Sequence, residues 1–253
     1  MQTSNPAVKD GMFTQARANA GHSAETMTVG GTVNKIGILL LIATSTAAWA
    51  WGQVMPSSIP AAGQIQGGSG LYIAAGFAGF ILALATIFKQ TWAPVTAPLY
   101  AAVEGVFLGA VSAQFEMRYP GIAMQAAFGT LATLGAMLFC YKAGVIKVTE
   151  SFRTGVFAAT GGIMGLYFLS WILGMFGIDI PMIHEGGIMG IGFSLFVVGL
   201  AALNLVLDFD HIERGERAGA PKYMEWYGSF IIMVTLVWLY IEMLRLLSKL
   251  KDE

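Results

Sequence analysis

Five of the carboxylates within or beside long apolar runs of this chain could carry chemistry: Glu104, Asp208, Asp210, Glu225 and Glu242. A carboxylate in hydrocarbon is expensive unless it is paired, hydrated or protonated, so each position needs a chemical reason. Three of the five flank one short charged connection within residues 199–247. Two acids brought close in a partly dehydrated place repel, so one holds a proton and the pair titrates as a unit. On that expectation Asp208 and Glu225 form a pH latch. Their shared proton fastens two helices together, and losing it parts them or lets a hard cation bridge them, with the Asn204 carbonyl as a further oxygen ligand. Glu104, in the apolar stretch YAAVEGVFLGAVS with no cation beside it, and Asn204, four residues before Asp208 on the same helix face, are the candidates for an ion path.

Each acid also has a plainer explanation. Asp208 and Asp210 fit solvated residues at the end of a helix, a reading that favours Asp210 more than Asp208. Glu225 stands beside Trp226 and Tyr227, which together fit an interfacial aromatic belt. Glu242 has Arg245 three residues later, so a local ion pair at the outer rim accounts for it. Other chemistry lacks support. His22, His184 and His211 fall in a tail, an outer loop and an inner loop and cannot form one metal site. No HExxH or GxSxG occurs, and the single cysteine, Cys140, lies in an apolar run. Neither an enzyme nor a cofactor is expected.

The elements that position these residues follow from composition. Of 253 residues 56% are hydrophobic and only 11% charged, against about a quarter charged in a soluble domain. The chain is therefore expected to be an all-α polytopic membrane protein held by the lipid bilayer. A net charge of −1 without a Lys/Arg-rich run excludes nucleic acid as a partner. Residues 1–33 are polar and expected to be a loosely ordered cytosolic tail. The apolar run that follows is too long for the h-region of a cleaved signal, so residues 34–253 are expected to form the membrane domain. Continuous runs at 34–54, 70–88, 97–115, 122–141, 154–176, 187–207 and 223–247 each have the length a helix needs to cross the hydrocarbon, which predicts seven spans. They do not alternate with period two, so a β-barrel is excluded.

With the tail inside, ten Lys and Arg fall in inner segments ahead of the last span and only Arg118 in an outer loop, which puts the N-terminus in the cytosol. A seventh crossing then places Arg245, Lys249 and Lys251 outside. On this topology Asp208 ends helix six, Glu225 starts helix seven, and Glu104 enters from the same side, about 9 Å deep counted from Pro98. The last helix is apolar all round in FIIMVTLVWLY, which predicts that it is enclosed by the others. Gly105 with Gly109, Gly161 with Gly165, and Gly186 with Gly190 have the spacing that lets helices approach closely.

Over LNLVLDFDHI, ERGERAGAPKYMEWY, LYIEMLRLL and APLYAAVEGVFLG, and loosely over residues 30–250, the chain resembles the Bax inhibitor-1/YccA family, also called the transmembrane Bax-inhibitor-motif family. Its opening SNPAV is similar to a bacterial subgroup, which implies the bacterial cytoplasmic membrane. The resemblance implies a seven-helix bundle around a central last helix, and a pH-sensitive calcium leak governed by two carboxylates, one on helix six and one on helix seven. Asp208 matches the first. Thr235 falls where the second would be, and Glu225 is the substitute, since Glu242 lies 17 residues further on, about 25 Å along the helix. Some bacterial relatives are also linked to a membrane-bound AAA protease, as substrate and modulator. Two functions thus stand beside each other: a calcium or other cation leak channel, and a membrane-anchored modulator or substrate of such a protease without transport activity.

Overall fold

A computed structural model describes residues 25–55, 69–177 and 187–252. Among the described residues there are seven long helices: α1 (Val29–Val54), α2 (Ser69–Phe88), α3 (Ala93–Arg118), α4 (Ile122–Lys142), α5 (Glu150–Met175), α6 (Gly187–Arg217) and α7 (Met224–Lys251). A 3₁₀ turn, Gln90–Trp92, leads into α3. Six of the seven are long and apolar enough to cross a membrane. The other, α2, has 20 residues, about 30 Å of helix. Large apolar side chains point outward along these helices, as in Phe77, Phe80, Ile81 and Phe88 of α2 and Phe128, Leu131 and Phe139 of α4. A water-soluble protein would cover such stripes; lipid accepts them. The chain is an all-α polytopic membrane protein.

Several boundaries differ from those expected. Helix α1 starts at Val29, because the Thr28 hydroxyl accepts the Gly31 N–H and caps the first turn. Residues 25–28 ahead of it are ordered, with Thr26 bridged antiparallel to Pro221, so the loosely ordered tail does not reach residue 33; residues 1–24 lie outside the described residues. Helix α3 begins at Ala93, since Pro94 stands in its first turn, where a missing N–H costs nothing, and it continues through Pro98. Helix α6 runs ten residues past the end of its apolar run, to Arg217, because DFDHIERGER contains no strong breaker before the terminus. It stops at Gly219, whose φ of 63° is the left-handed conformation that glycine adopts without strain.

The chain groups into two compact units. One comprises the described residues of Gly11–Ala123 with Ile212–Val234. In it α1 and α3 pack at contact distance: a Cβ on Gly105 would collide with the Ala43 carbonyl and the Thr46 hydroxyl, and one on Gly109 with the Ala47 carbonyl. The expected close approach is real for this pair. It does not hold for Gly161 and Gly165, where an added Cβ would meet nothing within 4 Å, and Gly186 lies outside the described residues. The α7 portion of this unit is enclosed. Ser229, Phe230, Ile231, Ile232 and Met233 are all buried, and five successive positions at 100° leave no free side.

The other unit comprises Met124–His211 with the described residues from Thr235 onward. Its core sets Val156 and Ile163 of α5 against Val197, Leu200 and Leu207 of α6, with Trp238 of α7 packed on them. Since lipid tails are as apolar as these side chains, the gain here is van der Waals fit and not transfer from water. The polar contacts below therefore fix the register of the helices.

Candidate functional site

In the unit of α4 to α6, Asp208 is 2% exposed, and its Oδ2 accepts a hydrogen bond from the Thr235 hydroxyl at 2.5 Å. It is not at a helix end. Asp208 lies nine residues, about 14 Å, before Arg217, deep enough for hydration to be lost. Asn204, one turn earlier, is buried too, and its Nδ2 donates to the Thr160 hydroxyl and to the Leu200 carbonyl, each at 2.9 Å. Thr160 with Asn204 and Thr235 with Asp208 thus make two buried polar pairs about one turn apart along α6.

Asp210 is not a solvated helix-end residue. Arg153, buried in the first turn of α5, reaches it with Nη2 at 2.5 Å and holds Glu150 at 3.3 Å with Nη1. Glu242 makes the expected local pair with Arg245 at 3.0 Å; the acid itself is 1% exposed and also accepts the Tyr167 hydroxyl at 2.9 Å, while the Arg245 side chain stays partly exposed. Its Oε2 has no hydrogen-bond partner. Near the start of α6, the buried Lys249 donates to the Gly190 carbonyl at 3.1 Å. His211 is likewise a buried residue of α6 and not part of an inner loop.

In the unit of α1 to α3, Glu225 is fully buried, and both of its oxygens are engaged. Oε1 accepts the Thr28 N–H at 2.9 Å, the Thr28 hydroxyl at 3.0 Å and Lys222 Nζ at 3.2 Å, while Oε2 is bonded to Lys35. Asp208 and Glu225 thus belong to different units, each held by partners of its own. Glu104 is 8% exposed, eleven residues from Ala93 and so about 16 Å into α3, deeper than counting from Pro98 implied. No described residue gives it a hydrogen bond or an ion pair. Its Oε2 fits over Gly79 of α2, where a Cβ would collide with it. Among the described residues, no three His, Cys, Asp or Glu side chains come together as metal ligands would.

The arrangement can do two kinds of chemistry. Asp208 and Glu104 are buried acids at depth in spanning helices, suited to exchanging a proton or meeting a partly dehydrated cation. Glu225, Asp210 and Glu242 already have cationic partners and hold helices in place. The partners Lys35, Arg153 and Tyr167 were not visible as such in the sequence. The first two counted there only toward topology, and only an (i, i+3) spacing, as for Arg245 and Glu242, announces its own pair. Thr235 had one signal, its place opposite the helix-six acid in the family resemblance. A family model described as Bax inhibitor 1 like matches residues 5–252. No curated protein and no solved structure matches the chain.

Proposed function

The chain belongs to the Bax inhibitor 1 like family, and on that premise we propose that it is a pH-sensitive cation leak, with calcium as the ion and no enzymatic activity. One observation carries the reading: a carboxylate, Asp208, buried in a spanning helix and bonded across to a hydroxyl, that of Thr235 in α7. While that contact holds, the carboxylate is occupied and the path is closed. Parting the two helices frees Asp208 for a cation, with the Asn204 amide one turn away. A protonated Asp208 offers a cation no charge, so flux rises as the pH on its side rises through the range where it ionises. Glu104 serves as the second acid on the path, and Glu225 as a latch that works only by releasing its two lysines. The distribution of Lys and Arg supports a cytosolic N-terminus, and the similarity of SNPAV to a bacterial subgroup supports the bacterial cytoplasmic membrane.

Calcium uptake by proteoliposomes of the full chain, followed over a pH series, tests this proposal. Uptake should climb with pH, and Asp208→Asn should abolish that dependence. If Asp208→Asn leaves the profile unchanged, Asp208 is not the gate. The protease-modulator reading is favoured instead if no cation moves at any pH while deletion of residues 1–24 alters protein turnover in cells. A reporter fused after Glu253 that is active only in the cytosol would remove the seventh crossing.

A further inference from the structure

The start of α1 is fastened more heavily than a helix cap requires. The Met27 N–H donates to the Ala220 carbonyl at 2.7 Å and the Lys222 N–H to the Glu25 carbonyl at 2.9 Å, so residues 25–28 lie as a short strap along the connection between α6 and α7. The Val29 N–H donates to Glu216 at 2.8 Å, and the Ser229 hydroxyl to the Thr32 carbonyl at 3.0 Å. Glu225 sits at the centre, taking the backbone and side chain of Thr28, the ammonium of Lys222 from the connection and that of Lys35 from α1. Gly31 is bare at the one point where its Cβ would occupy the carboxylate's place. Lys35 also lies 5.4 Å from the Trp226 ring, which closes the site on the α7 side.

A single buried carboxylate thus holds the strap and the first turns of α1 that continue it to the α6–α7 connection, far along the chain. We infer that Glu225 is the bolt of a clasp, closed in this structure, that ties residues 25–28 and the start of α1 to the start of α7. It is a positioning residue, and its role does not depend on whether the protein conducts ions. Buried and surrounded by donors, it contributes only as a charged acceptor; an amide in its place presents its own N–H to Lys35 or to Thr28. The strap has little else to hold it, because its two backbone bonds span only four residues and Met27 is its one buried apolar side chain. Opening the bolt therefore releases the strap as a unit while the enclosed stretch at 229–233 stays folded. A pull on the chain ahead of Glu25 then reaches α1 through the backbone and the start of α7 through this residue.

Residue-resolved hydrogen exchange of the full chain in lipid nanodiscs tests the clasp. The amides of Met27 and Lys222 are the informative ones, since they bond to backbone carbonyls and not to Glu225 itself. In Glu225→Gln their exchange should quicken by about tenfold or more, with residues 230–233 unchanged. Gly31→Ala, which leaves every donor in place but crowds the carboxylate, should quicken the same amides. A disulfide between Thr26→Cys and Pro221→Cys, in a Cys140→Ser background, should restore protection in Glu225→Gln. The clasp is overturned if Met27 and Lys222 keep their protection in both variants. It is equally overturned if protection at 230–233 is lost together with that of the strap, because the carboxylate would then support the whole unit and not a separable fastening.

Discussion

Replacing Thr235 with valine keeps the shape of the side chain and removes the hydroxyl that donates to Asp208 at 2.5 Å. Both residues are buried, at 4% and 2% exposure, so water is poorly placed to take over the lost bond. Asp208 keeps further interactions, and the loss is that of one hydrogen bond to a charged acceptor, about 2 kcal/mol net. If the bond exists only in the closed arrangement, the balance moves toward the open one by that amount. At 1.36 kcal/mol per decade this is about a thirtyfold gain in the open-to-closed ratio. Calcium uptake by proteoliposomes at a fixed pH should rise toward that factor, levelling off where the open form dominates. Its pH dependence should persist, because Asp208 is still present to titrate. Thr235→Ser, which restores the hydroxyl, should stay near the parent rate. If Thr235→Val and the parent take up calcium at the same rate across the pH series, the bond does not distinguish closed from open and the gating argument fails.

Three further outcomes follow from contacts described above. Arg153→Ala removes the cation from Asp210 in a largely buried place and should lower stability by about 3 kcal/mol, seen as an earlier thermal unfolding midpoint in detergent, whereas Asp210→Asn with Arg153 intact should cost less. Gly105→Ala forces a methyl into the α1 backbone and should cost about 1–3 kcal/mol, while Gly161→Ala meets open space and should be neutral or slightly stabilising in the same melt; equal midpoints for the two would contradict the close α1–α3 packing. Glu104→Gln should lower cation flux at every pH without moving the midpoint of its pH profile, since Glu104 is placed on the path and not at the gate. A shifted midpoint with unchanged maximal flux would reverse that assignment.

The all-α class, membrane residence and the burial of residues 229–233 in the last helix were legible in the amino-acid sequence, because the length of an apolar run and the absence of a polar face are properties of one segment, whatever lies beside it. The (i, i+3) pair of Glu242 with Arg245 was legible for the same reason. The extent of α6 was not: apolarity ends at Leu207, yet a helix ends where its backbone meets a breaker, here Gly219. Nor were the partners of the acids. Spacing along a helix says which residues share a face but not which helix that face meets, and in lipid no general hydrophobic force narrows the choice. Only the packed structure decides that Arg153 answers Asp210, that Thr235 answers Asp208, that Lys35 and Thr28 converge on Glu225, and that Glu104 rests over Gly79 with neither an ion pair nor a hydrogen bond among the described residues. That choice separates a buried acid that binds helices together from one still open to a proton or a cation, because the two differ in nothing that a single strand of residues records.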